Sequence, residues 1–190
     1  RPPRSYPPAR SPCSPGPSRA APPGRPVTPP VRGRPASGRR RPAAVAAGEG
    51  PGGPPLLSAA ICHAVFPGGA RIRPRLCLAV AQACGDDDPL LADAAAAAIE
   101  LLHCASLVHD DLPCFDDAPT RRGMPSVHSR FGDRIAVLTG DALIVLSFQI
   151  VAAAAGARPQ RLAPVLAAIA RGVGTPAGIV AGQACECEPY

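Results

Sequence analysis

Two pairs of aspartates and one pair of arginines fall inside residues 109–125 (HDDLPCFDDAPTRRGMP), and no other stretch is as well equipped for chemistry. Asp110 and Asp111 precede a proline-interrupted turn, Asp116 and Asp117 follow it, and Arg121 and Arg122 come a few residues later. Magnesium is held by one or two carboxylates together with phosphate oxygens and water. The planar guanidinium fork grips phosphate through two parallel hydrogen bonds. The combination suits a magnesium-bound diphosphate. Without their neighbours, Asp116 and Asp117 read more simply as solvated loop acids. Ser58 and Ser106 have no base at suggestive spacing, so nucleophilic catalysis has no support.

Helices must position these groups. Residues 56–66 (LLSAAICHAVF) can make three turns before Pro67-Gly68-Gly69 breaks them, and residues 73–85 begin near Pro74 and end at Gly85. Asp88 is a natural N-cap with Pro89 in the first helical position, and the run to Asp111 has no breaker for about six turns. Leu91, Ala95, Ala98, Leu102 and Ala105 share one face of that helix, which is built for close packing. Asp110 and Asp111 then stand at its C-terminal end, where the macrodipole disfavours acids, so cations are expected beside them. Residues 135–155 are apolar for long enough to cross a bilayer. Asp141 and Gln149 within that run favour a buried helix of a bundle instead, with Asp141 capping or bonding inside it and a substrate role the lesser alternative. Residues 158–174 and 176–188 continue in the same style, and His109 and His128 are expected to be structural. No alternating strand pattern appears, so the expected fold class is all-α with no membrane span.

Charge divides the chain. Residues 1–55 carry ten arginines, the single acid Glu49 and 17 of the 27 prolines, for a net +9, whereas residues 56–190 carry −3. The first segment has too few large apolar residues to bury a core and is expected to be a disordered tail, leaving residues 56–190 as the folded part. The GRRRP run at 38–42 could neutralise nucleic-acid phosphates, but a solvated tail without a specific partner is the simpler reading, and no folded recognition element accompanies it. All 20 basic residues are arginine, as in products of GC-rich genomes. No secretory h-region is visible. None of the eight cysteines forms a CxxC pair, and several sit in apolar helical runs, which fits a reduced cytoplasmic protein.

Five ordered motifs extend the picture: GGARIRP at 68–74, HCASLVHDDLPCFDD at 103–117, RRGMPSVHSRFG at 121–132, AVLTGDAL at 136–143 and GIVAGQACECE at 178–188. With them, residues 56–188 resemble the trans-polyprenyl diphosphate synthases, most narrowly the bacterial geranylgeranyl diphosphate synthases of carotenoid pathways. The resemblance implies the all-α helical bundle of the isoprenoid (terpenoid) synthase fold, here its N-terminal half. It also implies condensation of isopentenyl diphosphate with an allylic diphosphate, and a homodimer at full length. Asp110, Asp111 and Asp116 match the first aspartate-rich motif and would bind Mg²⁺ bridging to the allylic diphosphate. Arg121 would contact the allylic diphosphate. Arg122, Arg73 and His103 would hold isopentenyl diphosphate, and Gln183 would line the substrate cavity. Ala105 and Ser106, a turn before the aspartates, stand where chain length is governed; both are small, which favours a C20 product over C15.

Two departures qualify that expectation. Ala70 stands where the family has Lys, which removes a charge for isopentenyl diphosphate. The second aspartate-rich motif and its Lys-Thr pair are not among the 190 residues, so this chain is expected to be a truncated form with weak or no activity. A non-catalytic partner subunit of a full-length synthase is the alternative, and a basic-tailed nucleic-acid-binding protein a lesser one.

Overall fold

The structure, a computed structural model, describes residues 53–66 and 68–188. The expected disordered tail therefore lies outside the described residues apart from its last three, as do Cys13 and Pro67. Among the described residues seven α-helices follow in order: α1 (Pro55–Val65), α2 (Ile72–Ala83), α3 (Pro89–Asp110), α4 (Val127–Phe131), α5 (Asp133–Ala154), α6 (Leu162–Val173) and α7 (Ile179–Cys187). Short 3₁₀ turns at Ala155–Ala157 and Pro159–Arg161 join α5 to α6. The strandless expectation needs one correction, because β1 (Thr120–Arg121) and β2 (Met124–Pro125) pair antiparallel, Thr120 opposite Pro125 and Arg121 opposite Met124.

Local chemistry accounts for the boundaries. Asp88 accepts the Leu91 amide at 3.3 Å, and Pro89 fills the first helical position of α3, so two of that terminus's otherwise orphaned donors are dealt with. Between β1 and β2 only Arg122 and Gly123 remain, at φ +54° and +77°. Two consecutive left-handed residues make the hairpin turn whose twist matches that of paired strands.

The antiparallel pair α3 and α5 forms the centre. Leu101, Leu143 and Val151 are fully buried there. One end of the pair packs with α1 and α4 through Ala60, Ile61, Cys104, Val108 and Val127, and the other end with α6 through Leu162, Val165 and Ile169. Both central helices are 22 residues long and apolar enough, by length and composition, to cross a membrane. Half of that apolar stretch on α3, and a third of it on α5, is buried among the described residues. Thr139 and Ser147 are buried on α5, and their hydroxyls donate to the Ile135 and Ile144 carbonyls at 2.7 and 2.6 Å, so neither polar group is left unpaired. At the far end, Asp87 takes a two-pronged bond from Arg161 (2.8 and 2.5 Å) and another from Arg158 (2.8 Å). These bonds hold its carboxyl well below the usual carboxylate range and fasten the α2–α3 loop to the start of α6.

Gly140 explains how closely α3 and α5 approach. A Cβ there would lie 2.0 Å from His109 Nε2, so the imidazole occupies the space a side chain would take, and it contacts the Val137 carbonyl at 3.3 Å. His109 thus packs its ring against the α5 backbone. Asp141 differs from expectation: its side chain is largely exposed, 3.8 Å from His109, rather than bonded inside the bundle. Gly140→Ala is expected to cost about 1–3 kcal/mol through overpacking, measured by urea unfolding. The Gly140→Ala/His109→Ala double variant should recover much of the loss, and strictly additive losses would contradict the steric account.

Candidate active site

Asp110 ends α3, and the loop that follows folds back over it. The amides of Asp116 and Ala118 donate to the carbonyls of Asp110 (3.0 Å) and Asp111 (3.2 Å), while Asp117 donates to Leu112 (3.1 Å). These bonds cap carbonyls that the helix itself leaves unpaired. They also bring Asp116, distant in sequence by a loop, beside Asp110. Asp117 follows in the left-handed region at φ +48° and turns the chain toward β1.

The aspartates differ in environment. The Asp111 side chain is only 3% exposed and is bound by Arg121 through Nε at 2.8 Å and through Nη2 to the same oxygen. The Arg121 fork also reaches Asp110 Oδ2 at 3.6 Å. Burial pushes the Asp110 carboxyl up, and the Asp116 charge raises it further against the opposing pull of Arg121. A cation placed beside Asp110 would offset the effect of its acidic neighbour.

A second, basic cluster lies two turns back along α3. His103 stands about 10 Å from Asp110 along the axis, at 1.5 Å per residue. Arg122 Nη2 is 3.5 Å from His103 Nε2, and Arg122 Nη1 donates to the Gly68 carbonyl at 3.0 Å. Gly69, at φ +127°, sits in a backbone region that favours glycine, and a Cβ there would lie 3.2 Å from the Arg122 guanidinium, a tight contact. Burial lowers the His103 pKa, and the charges of Arg73, Arg122 and Arg71 add to that against Glu100. Arg73 itself is exposed on the first turn of α2.

The hairpin distributes the two arginines. Arg121 ends β1, and Arg122 opens the turn in the left-handed region, so the chain changes direction between them. Arg121 therefore joins the aspartates and Arg122 joins His103. A small cleft beside the hairpin is lined by His63, Cys104, Asp111, Arg121, Arg122 and Ser126. At its rim His63 contacts the Pro125 carbonyl through Nε2 at 2.8 Å and Arg130 through Nδ1 at 3.2 Å. Arginine can only donate, so Nδ1 accepts and Nε2 carries the proton.

The remaining expected site residues are placed as follows. Ala105 is buried in the core cluster shared with α1, and Ser106 is half-buried with its hydroxyl donating to the His103 carbonyl at 2.9 Å. Gln183 is half-buried on α7, whose principal neighbour is α6, and is not among the residues lining the cleft. Among the described residues, no three His, Cys, Asp or Glu side chains converge at metal-ligand spacing. Asp111 is turned to Arg121, which leaves Asp110 and Asp116 as the pair. Sequence reasoning missed Arg71 and Glu100, which form an ion pair beside the basic cluster. The signal was there: Glu100 is the one acid in the apolar run between Asp93 and Asp110, and a lone charge on a buried helix face needs a partner.

The described helices form a bundle in which an acidic, arginine-bridged cluster closes the end of α3 and a basic cluster gathers about His103 two turns earlier. The Polyprenyl synthetase family model matches residues 54–189, and the chain belongs to that family. It is 58% identical over 146 residues to a geranylgeranyl diphosphate synthase of Cereibacter sphaeroides, covering 77% of this chain and 51% of that protein. It is 52% identical to one of Rhodobacter capsulatus, covering 71% and 47%. Among solved structures, a geranyltransferase from Legionella pneumophila matches with a TM-score of 0.66 at 34% identity, covering 70% of this chain and 47% of that one. The fold is thus that of the isoprenoid synthase prenyltransferases. The chain spans about half the length of the relatives it matches.

Proposed function

We propose that the chain carries the substrate-binding half of a prenyltransferase that condenses isopentenyl diphosphate with an allylic diphosphate, most simply farnesyl to geranylgeranyl diphosphate. The observation that carries the reading is the divergence of adjacent Arg121 and Arg122 to two separate poles. Two diphosphate substrates need two anion sites a short, fixed distance apart, and positioning of this kind supplies much of the rate in a two-substrate reaction.

At the acidic pole the crowded Asp110 and Asp116 suit Mg²⁺, which needs only one or two protein carboxylates beside phosphate oxygens. Bound there with an allylic diphosphate, the metal would act as a Lewis acid on the leaving diphosphate. Asp111 holds Arg121 in place, so the guanidinium can meet the charge that grows as the allylic C–O bond breaks. At the basic pole Arg73, His103 and Arg122 hold isopentenyl diphosphate, with its double bond directed at the allylic carbon. Attack by that double bond forms the new C–C bond, and loss of a proton completes the product. Ala105 and Ser106 would leave room for a C20 chain, and Gln183 would line the wall of that cavity. Carotenoid precursor supply and a cytoplasmic location follow from the same reading. A homodimer is supported by the apolar Val137, Leu138 and Val145 exposed on α5.

The test is incorporation of labelled isopentenyl diphosphate into farnesyl diphosphate with Mg²⁺. The reading expects a slow C20 product that disappears with EDTA and in Asp110→Ala. Product formation that survives Asp110→Ala, or Mg²⁺-dependent binding of neither substrate, would overturn it. Restoring the family's charge gives a further expectation: Ala70→Lys should tighten isopentenyl diphosphate binding about 10-fold, the scale of one charge-assisted hydrogen bond, with farnesyl diphosphate binding unchanged by calorimetry.

A second reading, a non-catalytic subunit that docks on a complete synthase, is favoured by the exposed stripe Ile72, Leu76 and Val80 along α2. Co-purification with a complete synthase, without Asp110-dependent turnover, would distinguish it.

A further inference from the structure

Arg71 does not face solvent as a free cation. One guanidinium nitrogen donates to Glu100 Oε1 and another to the Val65 carbonyl. Its backbone is left-handed at φ +49°, a region a non-glycine residue adopts only when its surroundings fix it. Arg71 is also the N-cap of α2, and its carbonyl accepts the Arg75 amide at 3.2 Å, the first turn of that helix. Glu100 is 9% exposed and lies three residues before His103, on the same side of α3.

We propose that Arg71 and Glu100 are positioning residues of the basic pole: their ion pair pins the 68–71 loop to α3 and so sets Arg73 opposite His103. The inference rests on the reading of Arg73, His103 and Arg122 as the isopentenyl diphosphate pocket. The loop is gripped twice. Glu100 and the Val65 carbonyl hold Arg71 at its end, and Arg122 holds the Gly68 carbonyl near its start. Arg73 follows Arg71 by two residues, on the first turn that Arg71 starts, so any slackness in the pin moves its guanidinium directly. Both Arg73 and Glu100 act electrostatically on His103, which places the pin and the pocket side by side. Arg71 donates to two acceptors at once, the buried Glu100 and a backbone carbonyl, which suits a positioning role. Ala70 beside it presents no charge, which leaves the placement of Arg73 as the main determinant of grip on this side.

The test compares wild type, Glu100→Ala and Glu100→Gln by calorimetry with isopentenyl diphosphate and with farnesyl diphosphate plus Mg²⁺, and by amide hydrogen exchange without ligand. In Glu100→Ala, isopentenyl diphosphate affinity should fall about 10-fold, as for loss of one well-placed charged contact, while farnesyl diphosphate affinity stays within about two-fold. Exchange should quicken in residues 69–76 and not in α5. Glu100→Gln keeps a carbonyl for Arg71 and should restore both readouts. Unchanged exchange in Glu100→Ala, or a Glu100→Gln variant as impaired as the alanine, would overturn the proposal; the latter would mean that charge on His103, rather than placement, is what Glu100 supplies. Should Glu100→Ala not fold, Arg71→Met/Glu100→Met, apolar on both sides, replaces it with the same expectations. If wild type binds no isopentenyl diphosphate, the pocket reading fails, while the exchange comparison still decides whether the pin exists.

Discussion

Arg121→Ala is expected to lower the stability of the chain by about 3 kcal/mol, because breaking a buried ion pair from one side leaves a charge without compensation. The charge in question is Asp111, 3% exposed at its side chain and bound by the arginine fork through two nitrogens. The Asp110 carboxyl, already pushed up by burial and by Asp116, loses its nearby cation at the same time. Arg121→Lys should recover part of the loss, since it keeps the charge but not the two-nitrogen geometry. Arg121→Ala/Asp111→Ala should be less destabilised than the sum of the two single variants. Urea unfolding at neutral pH reads all four. A loss below about 1 kcal/mol in Arg121→Ala, the scale of an exposed pair, would mean that solvent reaches Asp111 once the arginine is gone.

Asp110→Asn separates stability from function. It should reduce Mg²⁺-dependent condensation at least about 100-fold, the scale of losing one preorganised electrostatic contact to the transition state. It should also leave the metal-free chain slightly more stable at neutral pH, by about 0.5 kcal/mol, a figure kept small because the Asp110 side chain is 30% exposed. The sign follows from proton linkage. The folded state holds the Asp110 proton more tightly than the unfolded chain does, so stability is lost as pH rises from the ordinary carboxylate range through the raised value. Asn cannot titrate, so the variant should lack that decline. Melting curves in EDTA across pH 4 to 7, chosen about the ordinary Asp range, would show the two chains converging toward acid. A variant that is less stable than wild type at every pH would contradict the like-charge account of the pair.

Much of this arrangement is legible in the sequence where helical periodicity and Gly/Pro punctuation are strong. Asp88 and Pro89 mark the start of α3, the breaker-free run to Asp111 gives its length, and the clustered acids at its C-terminal end imply the cation that Arg121 supplies. The hairpin is invisible to periodicity because each strand has two residues; its only local signal is the Arg122-Gly123 turn dipeptide. Partners brought in from other helices are not local information at all. The Gly140 backbone against His109 and the Arg71 pin on Glu100 depend on how α5 and α2 lie over α3, and the same packing turns Asp141 out to solvent rather than into the bundle. Chemical type marks the aspartates and arginines as ligands, but only the hairpin decides that neighbours in sequence serve different poles.

The most direct measurement is a calorimetric titration of the chain with inorganic pyrophosphate, with and without Mg²⁺, repeated on Asp110→Asn and Asp116→Asn. Binding that tightens at least about 10-fold with Mg²⁺, and loses that gain in both variants, is what a metal-bridged diphosphate site at the end of α3 predicts. Binding that ignores Mg²⁺, or a Mg²⁺ gain that survives both substitutions, would contradict it.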